Sequence, residues 1–163
     1  MRIALGSDHR GHSAVAALHG ALERAGHVPI VYGPVDPNGS DYPDAAYPVG
    51  RAVAAGEADL GVLVCGSGIG MSIAANKISG VRAALACDRD AAQMARRHND
   101  ANVLCLSANR TTPEDIVEIV TDFIQAGFDG GRHARRVGKI SVIERGEDPN
   151  APHEPADRAD ACS

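Results

Sequence analysis

The sequence predicts an α/β protein with a parallel sheet covered by helices on both faces, and three observations predict it. Apolar runs of strand length recur five times, the segments between them carry helical spacing, and the runs are apolar throughout instead of alternating. A strand that is apolar at every position needs cover on both faces, and helical connections make successive strands parallel. The 163 residues suit one compact domain with its own core, and no internal repeat is evident.

Taken in order, "RIALGS" (2–7) is the first strand and about 11–25 the first helix. "VPIVY" (28–32) and a helix at 43–55 follow, then "LGVLVC" (60–65) and a helix at 70–78. "VRAALAC" (81–87) leads into a helix at 89–97, and "NVLCLS" (102–107) into one at 113–125, for which Thr112 and Pro113 form a good N-cap and first-turn pair. Gly127 to Gly131 reads as a hinge into a last helix at 131–145, so the domain spans 1–145. Residues 146–163, "GEDPNAPHEPADRADACS", have almost nothing to bury and are expected to form a flexible tail, which includes Cys162.

Composition removes several function classes. A net charge of −5 without a long basic run argues against a nucleic-acid surface, and three Tyr, two Phe and no Trp leave no stacking platform for single strands. Cys65, Cys87, Cys105 and Cys162 form no CxxC pair and no zinc-finger spacing, so neither a disulfide framework nor a metal is expected. Charge arrives too early in "MRIALGSDHRGH" for a signal peptide, and no run is long and apolar enough to span a membrane, so a cytoplasmic protein is expected.

Parallel sheets bind ligands at the carboxyl ends of their strands, where this chain reads "SDHRG", "YGPVDPNGSDYP", "CGSGIG", "CDRD" and "SANR". "VCGSGIG" (64–70) puts a thiol at the end of a buried strand, followed by Gly66, Ser67, Gly68, Ile69 and Gly70. Such a turn aims backbone N–H groups at one point, which attracts a phosphate or a transient enolate. It is not a P-loop, because Lys77 stands seven residues beyond Gly70. The dinucleotide pattern GxGxxG fits Gly66 and Gly68 but meets Met71 at its last position, although Asp88 lies at a suitable distance downstream. Cys65 alone would pack as a small apolar side chain, but converging amides make it a candidate base or nucleophile. Cys87 and Cys105 lack such a loop and are assigned to the core.

Three charged groups could share the site. Asp8 and His9 end the first strand and should face the crevice of Cys65, able to move hydroxyl protons; an Asp capping the first helix and a solvent-facing His are the alternative. Arg96, Arg97, His98, Asn99 and Asp100 end a helix, where cations suit the macrodipole. Arg132 and Arg136 are four apart on a helix and can grip a phosphate together, or form a solvated basic face. His12, His19, His27, His133 and His153 have no metal-like spacing and are left as structural or exposed.

Six segments, "GSDHRG", "SDYPD", "VCGSGIGMSIAANK", "VRAAL", "ARRHNDANVL" and "GGRHARRV", together resemble the type B ribose-5-phosphate isomerases, in the family that includes galactose-6-phosphate isomerase subunits. The resemblance runs in order from residue 2 to about 145. It implies a Rossmann-like three-layer α/β/α sandwich, a homodimer or dimer of dimers with interfacial sites, and aldose–ketose isomerisation of a phosphorylated sugar without metal or cofactor. It also implies that Cys65 moves the proton between C1 and C2 while Gly66 to Gly70 hold the enediolate, with Ser67 where relatives often carry Thr. Asp8, His98 and Asn99 would attend the sugar ring and its opening, and His9, Arg132 and Arg136 the phosphate. Arg110 would reach the phosphate across the dimer interface, although "SANR" departs from the glycine-containing versions at this strand end. Spacing leaves open another chain length, such as a tetrose 4-phosphate or an allose or galactose 6-phosphate, and a non-catalytic sugar-phosphate sensor on the same fold.

Overall fold

A computed structural model describes residues 1–34 and 39–151. The strands are β1 (Arg2–Ser7), β2 (Val28–Val31), β3 (Leu60–Cys65), β4 (Ala83–Leu85) and β5 (Val103–Ser107). The helices are α1 (His12–Arg24), α2 (Tyr42–Ala54), α3 (Ile69–Ala75), α4 (Arg89–Asn99), α5 (Pro113–Gln125) and α6 (Arg132–Glu144). All pairings are parallel, in the order β2-β1-β3-β5-β4.

Alternate residues of the central strands serve two cores. Ile3, Leu5, Val62, Val64, Leu104 and Leu106 pack under α1, α4 and α5. Ala4, Leu63, Cys65, Val103 and Cys105 pack under α2 and α3. This is the three-layer sandwich expected from strands without a polar face.

The elements differ from expectation mainly at the sheet edge. β4 keeps three of the seven residues expected for it. The Asn102 carboxamide accepts the Arg82 amide and donates to the Gly80 carbonyl, which takes the start of the run out of the ladder. At the other end Asp88 caps α4, accepting from the Ala91 amide at 2.8 Å. Helix α3 ends at Ala75, three residues early, because the Asn76 side chain pairs with both backbone groups of Ala83.

Gly127 to Gly131 is not a free hinge: the Asp129 amide donates to the Arg97 carbonyl at 2.9 Å and ties the connection to α4. Of the expected tail, residues 146–151 are described. They close on α6 through Arg145 with Glu147 and Lys139 with Asn150. Residues 152–163, with Cys162 and His153, lie outside the described residues.

Cys105 is buried as expected, and burial pushes its thiol well above the ordinary cysteine range. Cys87 corrects the core assignment. It is exposed and donates to the Asp88 carboxylate at 3.4 Å, an anion that raises its thiol and leaves it a poor nucleophile.

Candidate functional site

Cys65 lies at the carboxyl edge of the sheet, 4 % exposed, paired in register with Ser107. The Gly68 amide donates to its sulfur at 3.0 Å, which stabilises negative charge on that atom. Gly68 takes φ +76°, and a Cβ there would stand 2.5 Å from Leu85 Cδ1 and 3.1 Å from the Leu106 carbonyl carbon. Only glycine turns the chain here while keeping it against β5. A Cβ on Gly70 would meet the ring of Tyr42 at 2.8 Å, so Tyr42 roofs the start of α3.

The loop is anchored from β5. The Ser107 hydroxyl and the Asn109 amide both donate to the Gly66 carbonyl, at 2.7 and 3.1 Å. Ser67 Oγ accepts from the Ile69 amide at 3.3 Å, which leaves its own proton free to donate. Among the described residues the amides of Gly66 and Ser67 donate to nothing. The loop therefore offers two unspent backbone donors and a hydroxyl beside a thiol, the donor set an enediolate requires.

Asp8 and His9 share that edge. Asp8 Oδ1 accepts the amides of Arg10 and Gly11, at 2.8 and 3.1 Å, and so holds the turn before α1 without capping it, since the N-cap is Gly11; Oδ2 is left without a donor among the described residues. His9 is exposed. Arg110 stands in a cleft with Cys87, Asp88, Arg89, Asp115 and Glu118, and within this chain Asn109, one residue earlier, borders the glycine loop: its Nδ2 is 3.3 Å from the position of a Gly66 Cβ.

The other assigned residues stand apart from Cys65. α4 leaves the carboxyl edge at Asp88 and runs back for eleven residues, about 16 Å of helix, so His98 and Asn99 lie at the amino edge from which β5 begins. α5 returns to that same edge, and α6 opens there with Arg132 and Arg136. Both arginines are exposed and lack an acidic partner among the described residues; Arg132 Nε contacts only His133 Nε2, at 3.4 Å. Arg96 and Arg97 are consumed structurally, Arg96 by Asp100 and the Ala101 carbonyl and Arg97 by Asp129.

At the amino edge the structure assembles a group that the linear sequence did not reveal. The His98 ring stacks on His133 with centroids 4.3 Å apart, and Asp129 stands 3.8 Å from His98 Nε2. Burial, with His98 and the two arginines adding positive charge, pushes the His133 imidazole below the ordinary histidine range. The Arg97 guanidinium holds the Asp129 carboxyl below the usual carboxylate range. Tyr42 and Asn109 were missed as well, although both sit in motifs already picked out, "SDYPD" and "SANR".

The sequence matches the Ribose/Galactose Isomerase family over residues 3–140. The chain belongs to that family. It is 45% identical over 145 residues to a probable ribose-5-phosphate isomerase B of Mycoplasma pneumoniae, covering 88% of this chain and 95% of that protein. It is 38% identical over 149 residues to a D-erythrulose-4-phosphate isomerase of Pectobacterium atrosepticum, covering 90% and 97%. Its fold matches the ribose-5-phosphate isomerase B of Mycoplasma genitalium with bound ribulose-5-phosphate at a TM-score of 0.84 and 41% identity, over 88% of this chain and 96% of that one.

Proposed function

We propose that this chain is an aldose–ketose isomerase that interconverts ribose 5-phosphate and ribulose 5-phosphate. The observation that carries the reading is the loop at Cys65, where a buried sulfur accepts from Gly68 N–H beside the unspent amides of Gly66 and Ser67. The isomerase of Mycoplasma genitalium, whose fold this chain shares, binds ribulose 5-phosphate.

In the open-chain aldose the Cys65 thiolate takes the proton from C2. The C2–H electrons form the C1–C2 double bond, and the carbonyl electrons move to O1 as an enediolate held by the loop amides and Ser67. Returning the proton to C1 and moving the hydroxyl proton from O2 to O1 gives the ketose, with atoms and electrons balanced. Asp8, through Oδ2, attends the sugar hydroxyls. Two guanidiniums without counter-ions among the described residues, Arg132 and Arg136, together with His9, suit a phosphate dianion.

Because these halves sit at opposite edges of one sheet, the reading requires a second copy of the chain to bring its His98, Asn99, Arg132 and Arg136 to the Cys65 loop. Exposed apolar side chains support such an association: Ile69 and Ile73 on α3, Leu85 on edge strand β4, Met94 on α4, and Ile140 and Ile143 on α6. The homodimer, a cytoplasmic location and a phosphate role for Arg110 belong to this proposal. No helix among the described residues is long and apolar enough to cross a membrane.

A second reading is the same chemistry on a four-carbon phosphate, favoured by the relative that is a D-erythrulose-4-phosphate isomerase. Side-by-side assays of four-, five- and six-carbon aldose phosphates decide between them. The highest kcat/KM on ribose 5-phosphate, abolished in Cys65→Ala while phosphate-ester binding survives, is the expected result. Highest kcat/KM on the tetrose selects the second reading, and binding without turnover on any sugar would make the protein a sensor.

A further inference from the structure

Asp129 lies in the connection between α5 and α6 and is tied to α4 three times. Its Oδ1 and Oδ2 accept from Nε and Nη2 of Arg97, each at 3.2 Å, and its amide donates to the Arg97 carbonyl at 2.9 Å. The same Oδ2 stands 3.8 Å from His98 Nε2, while the His98 ring lies on buried His133 with planes 6° from parallel. The charged and titratable groups around the stacked His98–His133 pair and Asp129 are therefore Arg97 from α4 and Arg132 and Arg136 from α6, the two arginines acting on His133.

His98, Asp129 and His133 are close enough to suggest a metal site. The stack argues against one. An imidazole nitrogen donates its lone pair in the ring plane, and two parallel stacked rings aim theirs along separate planes that do not meet at one ion. Both oxygens of Asp129 are also occupied by Arg97.

We propose that Asp129 is a positioning residue for His98: its carboxylate, clamped by Arg97, fixes the imidazole against the face of His133 so that one ring nitrogen is presented to the bound sugar. This rests on the reading in which His98 serves the sugar ring and its opening. A half-exposed histidine at a helix end otherwise samples several rotamers, and holding it in one removes that cost before the substrate arrives.

The test compares wild type, Asp129→Asn, Asp129→Glu, Arg97→Gln and His98→Ala with ribose 5-phosphate, alongside NMR of the imidazole C–H groups. Asparagine keeps the size and a bond to Arg97 but loses the charge that faces Nε2. The expected result is a kcat lower by about tenfold to a hundredfold in Asp129→Asn and Arg97→Gln. KM should stay within about twofold, because the phosphate grip is untouched. Asp129→Glu should recover part of kcat, and in Asp129→Asn the His98 resonances should lose the upfield shift that stacking on His133 imposes. Unchanged kcat in Asp129→Asn or Arg97→Gln, with His98→Ala inactive, overturns the proposal and leaves the role of His98 standing. Near-normal kcat in His98→Ala overturns that role, and the proposal with it. A matched loss in all variants with unmoved His98 resonances reduces Asp129 to a structural tie and also overturns it.

Discussion

If each active site takes Cys65 from one chain and His98 from another, two inactive variants must repair each other. In Cys65→Ala every chain still supplies a good His98, and in His98→Ala every chain still supplies a good Cys65 loop. α4 sends His98 about 16 Å back to the amino edge while Cys65 stays at the carboxyl edge, so under the proposed reading no site is completed within one chain. After mixing equal amounts and allowing subunit exchange, about half the dimers are mixed, and each has one doubly damaged site and one intact site. Activity should therefore rise from near zero in either variant to roughly a quarter of wild type. The assay is ketose formation from ribose 5-phosphate, with native mass spectrometry to count mixed dimers. Mixed dimers formed in the expected proportion without any recovered activity would refute the shared site, while leaving the chemistry of the Cys65 loop untouched.

Two further outcomes follow from the amino edge. Arg132→Ala or Arg136→Ala should each raise KM for a sugar phosphate roughly tenfold, the low end of a charge-assisted contact at about 1.5 kcal/mol because both groups are exposed, with kcat less affected; steady-state kinetics of the two variants check this. Stability should also fall on mild acidification. The His133 imidazole is held below the ordinary value of 6.5, first by burial and then by the positive charge of His98, Arg132 and Arg136, with Asp129 opposing. Below that value the unfolded chain binds the proton that the folded one refuses, so this contribution is complete above about pH 6.5 and is lost as pH drops toward the folded value. Melting midpoints between pH 8 and 5 should be level at first and then decline, and the decline should be smaller in His133→Gln.

The order of strands and helices was legible because its cause is local. Five apolar runs separated by helical spacing admit few arrangements other than a covered parallel sheet, and caps such as Thr112, whose Oγ1 accepts from the Asp115 amide at 3.1 Å, act over three residues. The carboxyl-edge half of the site was legible for the same reason: Cys65, Gly66, Ser67 and Gly68 are consecutive and follow a strand. Element ends were less so, because β4 is trimmed by Asn102 and α3 by contacts between Asn76 and Ala83 seven residues on. The exposure of Cys87 escaped for a related reason, since whether the end of an apolar run is covered depends on where the ladder stops. His133 and Asp129 could not be placed beside His98 from spacing alone, since 31 to 35 residues and a whole strand and helix separate them.

The separation of the Cys65 loop from His98 follows from strand polarity. In a parallel sheet every βα turn opens at the carboxyl edge, and every helix that returns beneath it ends at the amino edge. Catalytic groups in a βα loop and groups at a helix C-terminus are thereby held on opposite sides of one domain, however close they are in sequence. The glycine loop needs its turn after β3, because the free amides of Gly66 and Ser67 exist only where the chain leaves the ladder. His98 gains its setting at the end of α4, where Asp129 and His133 are brought up by the return of α5 and the start of α6. Neither set can move to the other edge without losing the backbone geometry that makes it useful. On the proposed reading, a second copy packed across the β4 edge, where Leu85, Met94 and Ile143 stand exposed, would supply the missing half without altering either one.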